Sequence, residues 1–346
     1  MKRVLVIGAF GYDTNQLDGK TIKTRRVYRL LKKKDIGEHN YIDTLLLRNK
    51  PWKCINMLYR LLTCDILVLL PCLNNLTVLF PLFYYMSRLF RFEIVSICIG
   101  GWQVEYFTGV GGYNSHFMQM NLSRKIKAFL PEMKKVDNEL IKRCGFTNTE
   151  VLPNFREYNR SHQIINERQV LRLVFMARIN KQKGYETIFN SLVFMREKCP
   201  NCRVDFYGGI AEQDKDDFLK KVESNKDVVS YKGILPPDKI YDTLSNYDVM
   251  LLPTKYYTEG FPGSILDAYI SGIPVIVTEW KHSHEFVSDG KTGIIVPFEN
   301  NQDVFNNSIL ILYKDRNKLN YMKKAAYKEA DKYSEEAAWD VLKKYL

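Results

Sequence analysis

The sequence predicts an α/β protein of two doubly wound domains. Its 346 residues are enough for two domains, each with its own core. Apolar runs typical of buried strands are followed by glycine-containing loops and amphipathic stretches, first near the start of the chain and again over residues 248–278. Because strands that alternate with helices form parallel sheets, both halves are expected to be doubly wound. A strand over 151–155, stopped by Pro153, places the domain boundary near residue 156.

The first domain begins with a buried-strand pattern over Val4–Ile7, a glycine-containing loop and a helix from about Lys20 to Lys34. Further strands are predicted over Ile66–Leu70 and Val95–Ile99, with an apolar helix over Leu76–Phe92 between them. Prolines and asparagines interrupt the uncharged stretch that contains this helix. The helix is therefore expected to pack in the core or to dip into a membrane surface, and not to span a membrane.

The second domain begins with a strand over Leu171–Ala177, and the loop that follows carries Arg178 and Lys183. Two cations five residues apart in a strand-to-helix loop can hold a diphosphate from two sides. The sequence therefore predicts an anion site at the end of this strand.

Residues 248–278 are the most informative stretch. The apolar run Val249–Leu252 ends at a proline, a turn follows, and an amphipathic helix begins at Gly263. The N-terminus of a helix presents unpaired N–H groups and a positive dipole end, which favour a phosphate. Glu259 precedes this helix and Asp267 lies in its first turns, so carboxylates that can accept hydrogen bonds from hydroxyls lie on both sides of the phosphate. This arrangement predicts a sugar nucleotide as the ligand.

The segment Glu259-Gly-Phe-Pro followed by Asp267 resembles the Glu-x7-Glu motif of the retaining glycosyltransferases of family 4, which have the GT-B fold. Asp267 takes the place of the second Glu and is shorter by one methylene group. The resemblance covers the whole chain, and it is specific over residues 171–297 and loose over 1–150. It implies two facing Rossmann-like domains with the active site in the inter-domain cleft. Residues 1–156 would bind the acceptor and 157–332 the nucleotide sugar, while a C-terminal helix at about 333–346 would pack back on the first domain.

The resemblance also implies roles for individual residues. Arg178 and Lys183 would neutralise the leaving diphosphate, and Glu259 would orient the hydroxyls of the sugar. Other donor-binding positions are implied at Gly19, Lys20, Gly184, Gly208, Lys232, Gly260, Phe261, Pro262, Gly263, Ser264 and Ile265, with Asp267 on the ribose. Gly100, Gly101 and Trp102 are implied on the acceptor side, where the chain lacks the histidine that many family members carry.

Metal and redox chemistry have weak signals in this sequence. The seven cysteines are scattered, and their single Cys-x-x-Cys has no second pair that could complete a zinc site. His282, His284 and Glu285 form only a weak metal pattern, and GT-B enzymes generally hold the diphosphate without a metal. We expect reduced thiols, no metal and no cofactor besides the nucleotide-diphospho-sugar donor.

The positive charge of the chain lies in its first half. Lys and Arg number 51 and Asp and Glu 39; residues 1–156 hold 24 of the former and 12 of the latter, and residues 157–346 hold 27 of each. The first half is therefore expected to meet an anionic partner. No nucleic-acid-binding module accompanies the charge, so an anionic membrane surface is the preferred partner. The basic residues of the first helix are interpreted either as a solvated face or as a lipid contact: Lys23, Arg25, Arg26, Arg29, Lys32, Lys33 and Lys34.

These expectations describe a retaining transferase that moves a hexose from a UDP-sugar to a lipid-linked or saccharide acceptor. The reaction would take place at the cytoplasmic face of the plasma membrane, in the synthesis of a bacterial capsule or O-antigen. Two alternatives remain open at the level of sequence: a GT-B sugar-nucleotide epimerase, and a non-catalytic subunit of a glycosylation complex. The presence of Arg178, Lys183 and Glu259 argues against the second alternative.

Overall fold

The computed structural model describes residues 2–14, 16, 18–34, 37–47, 50, 52–158 and 169–346. The chain forms two compact units. The first unit comprises Met1–Glu157 together with Tyr333–Leu346, and the second comprises Tyr158–Lys332.

The first unit is built on a parallel sheet in the order β2-β1-β3-β4-β5. Its strands are β1 Lys2–Gly8, β2 Gly37–Asp43, β3 Ile66–Leu70, β4 Glu93–Ile97 and β5 Ala128–Leu130. Its helices are α1 Gly19–Lys33, α2 Thr44–Leu47, α3 Lys53–Thr63, α4 Leu73–Phe90, α5 Gln103–Thr108, α6 Phe117–Ser123 and α7 Lys134–Cys144, with α16 Glu335–Leu342 from the end of the chain. The central strands are nearly continuous apolar runs because helices cover both faces of the sheet.

Alternate residues of β1 show which helices cover which face. Val4 and Val6 lie in one apolar cluster with side chains of α1 and α16. Leu5 and Ile7 are equally buried but lie outside that cluster, so they face the other side of the sheet. Helices α3 and α4 contact β1 and β4 respectively, and they cover that second face.

Helix α4 differs from the helix predicted over Leu76–Phe92. It begins at Leu73, directly after Cys72, and includes Pro81 in its interior. It ends at Phe90 because Arg91 adopts a left-handed conformation with φ 61°. Among the described helices, none is long and apolar enough to cross a lipid bilayer.

The prediction that the cations of α1 form a basic surface is wrong for several of them. The Lys23 side chain is only 2% exposed and forms an ion pair with Glu132. Arg25 donates hydrogen bonds to two backbone carbonyls of the β1–α1 loop, and Arg26 donates to the carbonyl of Phe155. Lys33 bridges two glutamates, which raises its pKa above the ordinary value. Lys23 is enclosed because α1 packs against the sheet, whereas Arg25 and Arg26 are partly buried and Lys33 stays half exposed beside its two glutamates.

The second unit is a parallel sheet in the order β11-β10-β9-β6-β7-β8. Its strands are β6 Leu171–Met176, β7 Cys202–Tyr207, β8 Val229–Tyr231, β9 Val249–Leu252, β10 Val275–Thr278 and β11 Gly293–Val296. Its helices are α8 Tyr185–Asn190, α9 Leu192–Lys198, α10 Lys215–Glu223, α11 Ile240–Leu244, α12 Gly263–Ile270, α13 Ser283–Phe286, α14 Gln302–Lys314 and α15 Arg316–Glu329. The two parallel-sheet units confirm the predicted α/β fold class.

Candidate active site

The strand order of the second unit marks one place where a ligand is expected. The chain builds outward from β6 through β7 to β8, then returns to the other side of β6 with β9. Ligands of open α/β sheets bind beyond the carboxyl ends of the strands at such a reversal. The loops that leave the carboxyl ends of β6 and β9 carry Lys183 and Glu259, so the structure brings these two residues to the same reversal point.

Lys183 and Glu259 contact each other directly through Nζ and Oε2, and both side chains are partly buried. Thr254 lies beside them, with its Oγ1 3.4 Å from the same carboxylate oxygen and 3.2 Å from the carbonyl oxygen of Gln182. The cation and the carboxylate are therefore held together before any ligand is bound. A diphosphate would give Lys183 a second anionic partner, and the carboxylate could then accept hydrogen bonds from sugar hydroxyls.

The loop that carries Lys183 has a defined local structure. The Asn180 side chain accepts a hydrogen bond of 2.8 Å from the Lys183 backbone N–H and caps a short 3-10 helix over Lys181–Lys183. Gly184 then adopts φ +80°, and a Cβ atom there would lie 1.7 Å from the carbonyl oxygen of Pro253. Only glycine fits this position, because the loops after β6 and β9 touch through their backbones.

Replacing Gly184 by Ala is expected to destabilise the second unit. The left-handed conformation alone would cost about 1–3 kcal/mol in a residue with a Cβ atom, and the loss should be larger than that. The new methyl group would force the two loops apart. Gly290→Ala is the matched control, since Gly290 has φ +71° and a Cβ atom there would meet no heavy atom within 4 Å. Hydrogen exchange of the β6 and β9 peptides would measure both effects. Equal losses in the two variants would contradict the close backbone contact.

Helix α12 begins directly after this site. Gly260 and Pro262 lie in the loop before it, and Phe261 is buried and stacks on Phe286 with ring centroids 3.9 Å apart. Gly263 and Ser264 are the first helical residues and are partly exposed, whereas Ile265 is buried. The aromatic stack fixes the loop to the body of the unit, so the start of α12 has a defined place next to Glu259.

Asp267 lies in the second turn of α12, and its side chain is almost fully buried. The hydroxyl of Tyr241, from α11, lies 3.5 Å from its Oδ1. A ribose that reached this carboxylate would have to approach beside Tyr241. Nothing in the sequence indicated that Tyr241 would lie next to Asp267.

The remaining predicted donor residues of the second unit lie at the ends of β6, β7 and β8. Arg178 follows β6 and is exposed, with no hydrogen bond or ion pair to another described residue. Gly208 follows β7, and a Cβ atom there would lie 1.9 Å from the carbonyl oxygen of Ala177, so the glycine allows two loops to touch. Lys232 follows β8 and has its Nζ 4.0 Å from Asp205.

The predicted residues of the first unit lie at the carboxyl ends of its strands. Gly19 and Lys20 begin α1, whose N-terminus is capped by the Asp18 carboxylate through a 3.0 Å hydrogen bond. Gly100, Gly101 and Trp102 follow β4. The backbone N–H of Gly100 donates to Glu132 at 3.0 Å, and the Trp102 indole donates to its own loop at the Ile99 carbonyl.

Sequence reasoning missed three residues that hold the predicted ones in place. Thr254 supports Glu259, Asn180 caps the turn of Lys183, and Glu132 holds both Gly100 and Lys23. Asn180 had a readable signal, because an asparagine three residues before the end of a turn is a common cap. Glu132 had none, since its partners are distant in sequence. In the part of the chain that the structure describes, no three His, Cys, Asp or Glu side chains cluster as metal ligands would.

The fold and this site define a protein of GT-B architecture. Residues 156–329 match the profile of the family described as "Glycosyl transferases group 1", and the chain belongs to that family. Several solved structures align with 99% of the chain, including the following two. Sucrose-phosphate synthase from Thermosynechococcus elongatus has a TM-score of 0.72 at 15% identity over 98% of its own length. Anabaena HepE, solved with UDP and glucose, has a TM-score of 0.69 at 13% identity over 99% of its own length.

Curated relatives match over shorter segments. An N,N'-diacetylbacillosaminyl-diphospho-undecaprenol alpha-1,3-N-acetylgalactosaminyltransferase of Campylobacter jejuni is 28% identical over 47% of this chain and 41% of its own length. The capsular polysaccharide biosynthesis glycosyltransferase CapM of Staphylococcus aureus is 28% identical over 42% of this chain and 37% of its own length. The chain thus covers about two fifths of the length of these relatives.

Proposed function

We propose that this protein is a retaining glycosyltransferase of family 4 that transfers a hexose-type sugar from a UDP-sugar to a lipid-linked acceptor. The observation that carries the proposal is the Lys183–Glu259 pair at the strand reversal of the second unit, directly before the N-terminus of α12. A cation, a helix N-terminus and a carboxylate at one place match the three parts of a sugar diphosphate.

In the proposed reaction the bond between the anomeric carbon and the diphosphate breaks, and negative charge grows on the diphosphate. Lys183 and Arg178 neutralise this charge together with backbone amides at Gly263, and such stabilisation of developing charge usually contributes most to the rate acceleration. Glu259 holds hydroxyls of the sugar and Asp267 holds the ribose. The acceptor hydroxyl attacks from the face that the diphosphate leaves, and a diphosphate oxygen takes its proton. No metal ion and no carboxylate nucleophile take part.

Several similarities support the donor and acceptor classes. HepE was solved with UDP and glucose, the name of the Campylobacter relative contains an undecaprenol diphosphate, and CapM is named for capsule synthesis. These names support a role in the synthesis of a surface polysaccharide, and we propose that the reaction takes place at the cytoplasmic face of the plasma membrane. The excess positive charge of the first half suits an acceptor that carries a diphosphate.

A screen against nucleotide sugars without acceptor tests the proposal. Purified protein is heated with UDP-, GDP- and dTDP-sugars, and hydrolysis of each donor is followed. We expect one UDP-sugar to raise the melting temperature and to be hydrolysed slowly, because water can replace the missing acceptor. Chromatography of the products distinguishes hydrolysis, which releases the nucleoside diphosphate and the free sugar, from epimerisation, which gives a different nucleotide sugar. Conversion of the donor to an epimer, or no response to any nucleotide sugar, would overturn the proposal.

A further inference from the structure

Helices α3 and α4 carry exposed apolar side chains along their outward sides. Ile55 on α3 is 72% exposed and Leu89 on α4 is 74% exposed. We call seven of these residues, together with Trp52 directly before α3, the α3–α4 apolar face; its members are Trp52, Ile55, Tyr59 and Leu62 with Val78, Leu82, Tyr85 and Leu89, and Leu58 and Phe90 are exposed beside them. Single exposed apolar residues are normal in soluble proteins, but eight on or directly before two helices indicate a surface that is covered in use.

The spacing along each helix gathers these residues into stripes. On α3 they follow each other by three or four residues, and the same holds on α4 from Val78 to Leu89. The opposite side of α4, with Phe80 and Phe83, is buried in the unit. Of the aromatic residues of α4, Phe80, Phe83 and Tyr84 are thus core residues, whereas Tyr85 and Phe90 are exposed.

The two stripes lie on the same side of the sheet. Helix α3 connects β2 to β3 and α4 connects β3 to β4, so both connections step across the sheet in one direction. Right-handed crossovers then place both helices on one face of the sheet. Helix α1 steps the other way, from β1 to β2, and packs with α16 on the opposite face. Both stripes therefore belong to helices on the same face of the sheet.

The charged residues of the two segments that form α3 and α4 are all cations. Residues 52–64 and 66–92 contain no Asp or Glu, and their charged residues are Lys53, Arg60, Arg88 and Arg91. The acids that border these segments are already engaged, Asp65 with Arg3 and Glu93 with Lys127. The acids Glu38, Asp13 and Asp43 lie beside the inner end of α3, where they line clefts with Lys53 and Arg60. The two helical segments themselves carry cations and no acids, and an apolar surface of this kind complements an apolar layer edged by anions.

We propose that the α3–α4 apolar face docks on an anionic lipid bilayer. The aliphatic side chains would enter the boundary between headgroups and acyl chains, and the cations would meet lipid phosphates. Trp52, Tyr59 and Tyr85 are residues that prefer the headgroup level. The inference rests on the proposed function in one respect, since docking here would bring the protein to a lipid-linked acceptor. It assigns membrane contact to α3 and α4 and not to the largely engaged cations of α1.

Flotation with lipid vesicles tests this docking surface. Wild-type protein is expected to float with vesicles of phosphatidylglycerol and phosphatidylcholine in a 3:7 ratio, and much less with phosphatidylcholine alone. The double variant Ile55→Glu/Leu89→Glu is expected to lose at least tenfold in bound fraction, because two charges would enter the apolar layer. The matched control is Val193→Glu/Tyr321→Glu, at positions 65% and 56% exposed in the second unit, and it should bind like the wild type.

Trp52 provides a second readout that needs no charge reversal. Vesicles with brominated acyl chains should quench part of the tryptophan fluorescence of the wild type. The Trp52→Phe variant should float normally but lose most of that quenching. Trp52 is 63% exposed, whereas Trp102 and Trp339 are partly buried and lie outside the α3–α4 apolar face, and Trp280 is buried. Quenching that survives largely unchanged in Trp52→Phe would show that another part of the chain meets the lipid, and would overturn the assignment.

Two further outcomes would overturn the inference. One is equal flotation of the wild type and Ile55→Glu/Leu89→Glu, or no flotation of either. The other outcome has three parts: light scattering shows a wild-type dimer, the variant Ile55→Glu/Leu89→Glu is a monomer, and neither protein binds vesicles. That result would assign the face to a second copy of the chain. The melting-temperature response to the UDP-sugar is measured without vesicles in every variant. Loss of that response in the wild type would defeat the proposed function and leave the docking result intact.

Discussion

Replacing Glu259 by Gln is expected to lower the rate of sugar transfer by about 10²–10³-fold, the effect of removing one preorganised polar group from a transition state. Gln keeps the size of the side chain but cannot form the ion pair with Lys183 or accept hydrogen bonds at both oxygens. The loss should appear in the steady-state kcat/KM for transfer and in slow donor hydrolysis. Stabilisation by UDP alone should persist, because UDP lacks the transferred sugar that Glu259 would hold and Lys183 can still bind its diphosphate.

Glu279→Gln is the matched control for this prediction. Glu279 follows β10, the strand next to β9, but it is exposed and pairs with His284. Its replacement should leave transfer within twofold of the wild type. A similar loss in both variants would mean that the carboxyl edge of the sheet responds to any loss of charge. Full activity of Glu259→Gln would remove the carboxylate from the mechanism and with it the motif that carries the proposed function.

The second unit was predictable from sequence to a large extent because its site follows local rules. The apolar run of β9, the break at Pro253 and the helix that begins at Gly263 all lie where the pattern places them. Each of these features depends on neighbours in the chain, through strand hydrophobicity, the missing N–H of proline and the conformations open to glycine. The direct contact between Lys183 and Glu259 was not predictable in this way, since 76 residues separate them and only the strand order joins their loops.

The first unit shows the limit of reading charge from a helix. Seven of the cations on and just after α1 suggested a solvated or lipid-binding face. A sequence does not show which of these lysines forms an ion pair with a carboxylate from a distant part of the chain. Lys23 meets Glu132, which is 109 residues away. In contrast, α3 and α4 have few charges and no acids, and their composition left core packing and a surface contact equally open for the helix over Leu76–Phe92. Only the structure shows which of their apolar residues face outward.

Replacing Lys23 by Met is expected to destabilise the first unit by about 3–5 kcal/mol, because it leaves the Glu132 carboxylate buried without its cation. The Lys23 ammonium group lies 2.9 Å from Glu132 and 3.2 Å from the carbonyl oxygens of Cys98 and Leu152. It thus joins α1 to the end of β4 and to the last segment before the second unit. Hydrogen exchange of peptides from β1 and β4, compared with peptides from β6, would measure the loss unit by unit.

Two further variants separate the buried pair from helix propensity. Lys32→Met changes an exposed lysine of the same helix and should stay within about 0.5 kcal/mol of the wild type. Lys23→Met/Glu132→Gln removes both charges, keeps an acceptor for the Gly100 N–H, and should recover much of the loss. If Lys23→Met and Lys32→Met behaved alike, Lys23 would have to be solvated, and the basic face of α1 would again be available to an anionic partner. Glu132 also accepts a hydrogen bond from the Gly100 N–H. If the pair is buried, hydrogen exchange of the Gly100–Trp102 turn should therefore be faster in Lys23→Met than in the wild type and unchanged in Lys32→Met.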